Sequence, residues 1–223
     1  MTDMDGDQVP ETGAGPAALP RQTAGWFLEG NGAGNGGTVP PFTGRRRRGG
    51  PEIGTERLTL QEVTRAAAAD LRAGGTGGFA WIESGPFEGT ADAAAMVVRA
   101  YEEGVHRPEW GMFVLVRRED GRAVGAMGFH GVPDKEGGAE VGYDLAENAR
   151  GQGYATEALR ALSEWALARD DVEFLFAAID RDNAPSQRVV ARAGFTRVSE
   201  EAERIAYELH DLEPSLRLYA RGR

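Results

Sequence analysis

Two glycines and an arginine set close together are the residues of this chain best suited to holding an anion: Arg150-Gly151-Gln152-Gly153-Tyr154-Ala155. Ahead of them lies a run of strand length, Gly138-Ala139-Glu140-Val141-Gly142-Tyr143-Asp144-Leu145, and a polar turn. After them the apolar residues fall at Ala155, Ala158, Leu159, Leu162 and Ala166, with Trp165 beside them. That is the spacing of a helix with one buried face. The first amides of a helix lack internal partners, and the helix dipole adds partial positive charge there. A phosphate or pyrophosphate fits such a place, and Arg150 adds full charge. A side chain at Gly151 or Gly153 would hold the anion away. The same glycines also suit an ordinary strand-to-helix turn, so the pair alone leaves both readings open.

A second group follows in order. Glu173-Phe174-Leu175-Phe176-Ala177-Ala178-Ile179 is an apolar run of strand length. Asp180-Arg181-Asp182-Asn183-Ala184-Pro185-Ser186 then leads into a short helix through Val189, Val190 and Ala193. Asn183 has the chemistry of an N-cap, and Gly194, just before Phe195, that of a C-terminal stop.

Taken together, these residues resemble the GCN5-related N-acetyltransferases (GNAT), most closely the branch of RimJ/RimL-like ribosomal-protein N-terminal acetyltransferases. The resemblance rests on Glu140-Val141-Gly142-Tyr143, on Arg150, Gly153 and Ala155 of an Arg-x-x-Gly-x-Ala signature, and on Asn183 and Ser186 followed by Gly194-Phe195. It extends more loosely from about Glu56 to about Arg221. It implies an α+β fold on a central mixed, mostly antiparallel β-sheet flanked by helices. That sheet is splayed between the strand at Glu140 and the strand at Phe174, and the acyl-CoA pantetheine lies in the gap. The implied reaction is acetyl transfer from acetyl-CoA, as co-substrate, to a primary amine of a protein N-terminus or a small molecule. No metal, nucleic acid or membrane is called for. A non-catalytic acyl-CoA-binding regulatory module on the same fold is the alternative, and oligomeric state, a homodimer included, is open.

The resemblance also distributes roles. An ammonium has no lone pair, so a base or a water chain must take a proton from the acceptor; the thioester carbonyl needs a donor, and the leaving thiolate benefits from a proton. Glu140 is the first candidate base, since it alternates with Val141 and one of the two faces away from the core. His130 ends the preceding strand and is a second candidate, or else a surface histidine. Family members often place a tyrosine seven residues after the asparagine as general acid. Here that position is Val190, and Ser186 is the substitute, as acid or as a helix-start hydrogen-bonding residue that touches pantetheine. Amides near Val141 and Tyr143 would polarise the carbonyl, and the Asp144-Leu145 end of the strand would pair with pantetheine. Arg150, Gly151, Gln152, Gly153, Tyr154 and Ala155 would hold the pyrophosphate, and Asn183 would bind the cofactor as well as capping its helix.

The elements needed to position these groups can be read from the 223 residues. Residues 1–55 are rich in Gly and Pro, too poor in apolar residues to offset chain entropy, and expected to be a disordered tail; 56–223 form the acetyltransferase domain. The tail holds one apolar island, Trp26-Phe27-Leu28, and the Arg45-Arg46-Arg47-Arg48 run, which reads as a solvated cluster, an anionic-surface contact or a protease site. Glu56-Arg57-Leu58-Thr59-Leu60 resembles the family's opening strand, with Arg57 and Leu58 matching a common start of this branch. A helix is expected over 62–73, and another from Ala91 to about Glu103 with Thr90 as cap. The Gly74–Gly89 segment between them carries Phe79, Trp81 and Phe87, which shape an acceptor pocket or cover the core edge. Strands follow over Met112–Val116 and Ala123–Val132, and closing strands near Phe195–Val198, Ile205–Leu209 and Leu216–Ala220.

Composition bounds the rest. The absence of cysteine excludes disulfides, cysteine nucleophiles and cysteine-ligated zinc, and suits a reducing cytoplasm. The three histidines, His106, His130 and His210, lack metal-ligand spacing. A net charge of -10 argues against a nucleic-acid-binding surface and suits an amine-bearing substrate. No apolar run is long enough for a transmembrane helix, and the acidic, glycine-rich start is unlike a secretory signal.

Overall fold

The computed structural model describes residues 52–83, 85–201 and 203–210. Eight strands form one sheet in the order β1-β2-β3-β4-β5-β6-β8-β7. They are β1 (Glu52–Gly54), β2 (Leu58–Glu62), β3 (Met112–Arg117), β4 (Ala123–Phe129), β5 (Gly138–Leu145), β6 (Phe174–Asp180), β7 (Thr196–Glu200) and β8 (Arg204–His210). Helices α1 (Arg65–Arg72), α2 (Glu88–Glu102), α3 (Tyr154–Leu167) and α4 (Ala184–Ala193) complete the fold. Every neighbouring pair is antiparallel except β5 and β6. This is the expected α+β architecture on a mixed, mostly antiparallel sheet.

The inner strands β3 to β6 are largely buried, and the two faces of the sheet have separate cores. Under α3 and α4, Val124, Met127, Val141, Tyr143, Leu145, Leu159, Leu162 and Ile179 pack together. Helix α3 presents Ala155, Ala158 and Ala166 to the sheet, small residues that let its axis approach closely, and Leu159 and Leu162 fill the space between. Each of these leucines contributes about 2 kcal/mol by burial. On the opposite face α1 and α2 lay Ala68, Leu71, Ala93, Ala94 and Val97 over Met112, Val114, Ala123 and Ala126.

The feature that positions the site is the parallel pair. β5 and β6 are in register only from Gly138 opposite Phe174 to Glu140 opposite Phe176. Beyond Glu140, β5 bonds only to β4, and beyond Phe176, β6 bonds only to β8. The sheet therefore opens into a wedge where the sequence led us to expect one. The inner backbone edges along the wedge are a ready template for an extended ligand.

Several local expectations change. The sheet starts at Glu52, since β1 pairs Glu52, Ile53 and Gly54 with Gln61, Leu60 and Thr59, so the expected tail boundary at 55 overlaps an edge strand. Thr90 does not cap α2. The helix starts at Glu88 behind Phe87, and Thr90 is fully buried inside it. β4 ends at Phe129, although the His130 amide still donates to the Glu140 carbonyl at 3.0 Å. Asn183 and Gly194 act as expected: Oδ1 of the Asn183 side chain accepts from the Ser186 amide, and Gly194 ends α4 at φ 105°. The Trp26-Phe27-Leu28 island, the Arg45–Arg48 run and the expected strand at Leu216–Ala220 lie outside the described residues.

Candidate active site

The turn into α3 requires its glycines. Gly151 has φ 75° and Gly153 φ 83°, both in the left-handed region that side chains avoid. The first bond within α3 runs from the Glu157 amide to the Gly153 carbonyl at 3.0 Å, so the amides of Tyr154, Ala155 and Thr156 point out of the helix end. A Cβ at Gly151 would meet nothing within 4 Å, so the space over the turn is open. The geometric reading of the pair holds, and the open space above it leaves room for an anion.

That helix end forms one wall of a cavity of about 290 Å³ at the mouth of the wedge. β5 supplies Tyr143, Asp144 and Leu145; the turn supplies Ala149, Arg150, Gly151 and Gly153; α3 supplies Tyr154, Ala155 and Thr156. The far wall is α4 and its start, with Asn183, Pro185, Ser186, Arg188, Val189 and Arg192. Most of the expected cofactor residues are brought together here. Two are not: Val141 is fully buried in the core under α3, and the Gln152 side chain turns back to donate to the Asn148 carbonyl at 2.9 Å. Arg150 also differs from a simple phosphate clamp. Its Nε donates to the Leu145 carbonyl at 3.2 Å, and its guanidinium lies 5.9 Å from the Phe87 ring centroid. Arg188 and Arg192 were missed. Their four-residue spacing on one helix was visible, but only the placement of α4 makes it a cationic stripe along the cavity.

The groups that the sequence suggested for proton transfer lie on β5, at the end of β4 and at the start of α4. Tyr143 spans the wedge: its buried hydroxyl donates to the Ser186 carbonyl at 3.1 Å, tying β5 to the first turn of α4. Burial pushes this phenol above its ordinary pKa, so it stays protonated. Val190, at the position of the family tyrosine, is fully buried. On the opposite face of β5, away from the cavity, Glu140 meets His130. Nδ1 of His130 is 3.1 Å from the Glu140 carboxylate, and the two side chains are only 7% and 9% exposed. His130 is therefore not the surface histidine the sequence allowed. The dyad is a cross-strand pair: register places Phe129 opposite Val141 and so His130 beside Glu140.

Asp144 is a further acidic group that the sequence did not single out. By strand alternation its side chain shares the Glu140 face and reaches the start of α2, while the residue itself also borders the cavity. The Thr90 hydroxyl donates to it at 3.4 Å, and a Cβ at Gly89 would come within 2.9 Å of its carboxylate. Phe87 gives α2 no side-chain cap, so the Asp144 carboxylate takes that place from another element. Burial raises its pKa from 3.8 to about 6, against the lowering effects of the Arg150 charge and the Thr90 bonds. A carboxyl raised on folding binds more protons folded than unfolded. Its contribution to stability is full below pH 4 and is lost as the pH rises to 6. The loss is about 1–2 kcal/mol after discounting for partial exposure. Asp144→Asn should therefore gain that amount at pH 7 and flatten the stability profile between pH 4 and 6, measured by urea denaturation. Equal stabilities at pH 7 would mean that the Thr90 bonds already offset the burial.

A sheet parted between two parallel strands, with an open helix N-terminus at its mouth, defines an α+β domain with a cleft of extended shape. The chain belongs to the acetyltransferase (GNAT) domain family, whose sequence pattern matches residues 57–196. Among curated proteins it is similar to the uncharacterized N-acetyltransferase YjdG of Bacillus subtilis, 34% identical over 91 residues, which are 41% of this chain and 54% of that protein. It is also similar to the ribosomal-protein-serine acetyltransferase of Escherichia coli, 28% identical over 117 residues, 52% of this chain and 64% of that protein. The matches thus span about half to two thirds of these relatives. Among solved structures, a ribosomal-protein-S5-alanine acetyltransferase from Vibrio fischeri superposes with TM-score 0.52 at 15% identity, covering 73% of this chain and 98% of that one. A RimL ribosomal L7/L12 alpha-N-protein acetyltransferase in complex with coenzyme A does so with TM-score 0.52 at 17% identity, covering 72% and 98%. At these identities the likenesses carry the fold alone. Among the described residues no helix is long and apolar enough to cross a membrane, and no three His, Cys, Asp or Glu side chains are grouped to hold a metal.

Proposed function

We propose that the protein is an N-acetyltransferase that moves an acetyl group from acetyl-CoA to a primary amine, either a protein N-terminus or a small molecule. The observation that carries this reading is the parting of β5 from β6 beyond Glu140 and Phe176, with its mouth at the α3 helix end. The chain's own features fit the donor. The left-handed turn and open space at Gly151 suit a pyrophosphate, Arg188 and Arg192 suit further phosphate charge, and the free edge of β5 suits the amides of a pantetheine arm.

Acetyl-CoA supplies an activated acyl carbon and a thiolate leaving group. The residues supply positioning and protons. Glu140, backed by His130, takes the proton that the amine must lose, directly or through water. Amides of the β5 edge near Val141 and Tyr143 face the carbonyl that gains charge. Ser186, beside the buried Tyr143 hydroxyl, stands at the thiolate side in place of the tyrosine that Val190 replaces. The name of the Escherichia coli relative supports including protein N-termini among the acceptors. A non-catalytic acyl-CoA-binding module is the second reading, and Val190 favours it, because a valine at the family tyrosine's position has no proton to donate.

The test is calorimetric titration of the full chain with acetyl-CoA, together with thiol release against a panel of N-terminal peptides and small amines. Saturable binding with release from one acceptor class supports the enzyme. Binding without release supports the module, and no binding overturns both.

A further inference from the structure

Arg57, in the Glu56-Arg57-Leu58 stretch that resembles the family's start, and Thr55 just before it have no part in the chemistry above, although their side chains reach the far end of the proposed pyrophosphate turn. The Thr55 hydroxyl donates to Oε1 of Glu157 at 2.6 Å, and the Arg57 amide donates to the same oxygen at 2.8 Å. Nε of Arg57 donates to Oε2 of Glu157 at 2.6 Å, and its Nη2 is 2.6 Å from that oxygen too. The remaining arm of the guanidinium, Nη1, donates to the Gln152 carbonyl at 2.9 Å, inside the turn between the two glycines. The guanidinium also lies 4.7 Å from the centroid of the Tyr154 ring. Tyr154 lines the cofactor cavity on one side and an outer depression with Arg57 on the other. One arginine therefore grips a carboxylate, a carbonyl and a ring, all within six residues of the turn.

Glu157 makes this grip consequential. It is the acidic residue in the first turn of α3. A carboxylate there competes with any anionic ligand for the positive end of the helix. Burial alone would raise the pKa of Glu157, yet the bonds from Thr55 and Arg57 and the Arg57 charge hold it below its ordinary value. It is thus a fixed anion beside the proposed phosphate cradle, and Arg57 is its counter-charge.

We infer that Arg57 is a positioning residue for the acyl-CoA site: through Glu157 and the Gln152 carbonyl it holds the turn in shape and cancels a carboxylate that would repel the pyrophosphate. The inference rests on the acetyl-CoA reading above. It makes the start of the domain a distant part of the proposed phosphate site, which the guanidinium serves without lining the cavity.

The test compares acetyl-CoA binding and turnover in the full-length parent, Arg57→Ala, Glu157→Gln and the double variant. Arg57→Ala should weaken acetyl-CoA binding by about tenfold or more, with kcat at saturating donor and the acceptor KM within about twofold of the parent. Glu157→Gln alone should change affinity by less than about threefold. In the Arg57→Ala background it should restore most of the lost affinity, because the uncompensated charge is gone. A merely structural arginine would predict the reverse, since the double variant loses still more bonds. Arg57→Lys keeps the charge but cannot fork to Glu157 and Gln152 together, and should fall in between. Parent-like affinity in Arg57→Ala, or a double variant no better than Arg57→Ala, overturns the inference. So does failure of both Arg57 variants to fold, which would make the residue part of the fold alone. A parent that does not bind acetyl-CoA overturns the functional reading, and this inference with it.

Discussion

Gly153→Glu is expected to abolish acetyl-CoA binding, lowering affinity by at least about a hundredfold, while the domain stays folded. Two effects add. Gly153 sits at φ 83°, so any side chain there costs about 1–2 kcal/mol in backbone strain. That is tolerable for a domain with about 5–15 kcal/mol of stability. The second effect is local and larger for the ligand. The new carboxylate stands at the end of α3, where the outward amides would otherwise meet a phosphate. Its charge repels the pyrophosphate. Arg57 does not rescue it. Its Nη2 is 3.5 Å from where the new Cβ would stand, but it is already bound to Glu157, so capture of one carboxylate frees the other. Gly153→Ala carries the strain without the charge and should cost only about tenfold. Calorimetry with acetyl-CoA, alongside thermal unfolding of each variant, separates the two effects. A folded Gly153→Glu protein with parent-like affinity would remove the phosphate from the reading of this turn.

How far the sequence led depends on where each signal resides. The period of α3, the cap at Asn183, the stop at Gly194 and the two turn glycines are local, and each was read correctly from a few adjacent residues. The wedge between β5 and β6 was expected from family resemblance; periodicity could not have shown it, because parting of two strands changes pairing and leaves side-chain alternation intact. β1 escaped because three residues that pair only through backbone have almost no compositional signature. Thr90 was misplaced for a related reason. A threonine before an alanine-rich run reads as a cap, but Asp144, more than fifty residues away, supplies the acceptor at that helix end. The grip of Arg57 on Glu157 joins residues 100 positions apart and is equally invisible in either segment. In this chain the glycine turn was legible in sequence, whereas the charges packed against it arrive from distant elements.

The other large effect is expected at Glu140. Glu140→Gln keeps the size and most of the hydrogen bonding but removes the basic carboxylate. If Glu140 takes the acceptor's proton, kcat should fall by roughly 10²–10³-fold, the usual scale for losing a general base. Acetyl-CoA affinity should hold within about twofold, since Glu140 faces away from the cavity and does not line it. This split between turnover and donor binding is the opposite of the one expected at Gly153. His130 sharpens the test. Nδ1 lies 3.1 Å from the Glu140 carboxylate, and both side chains are nearly sealed from water, so a proton taken by one is within reach of the other. His130→Gln should therefore lower kcat less, by about tenfold, with the carboxylate still in place. Steady-state rates with a saturating amine, and donor affinity measured separately, distinguish the outcomes. Full turnover in Glu140→Gln would assign proton removal to water in the wedge and leave the dyad as a cross-strand pair that fastens the end of β4 to β5.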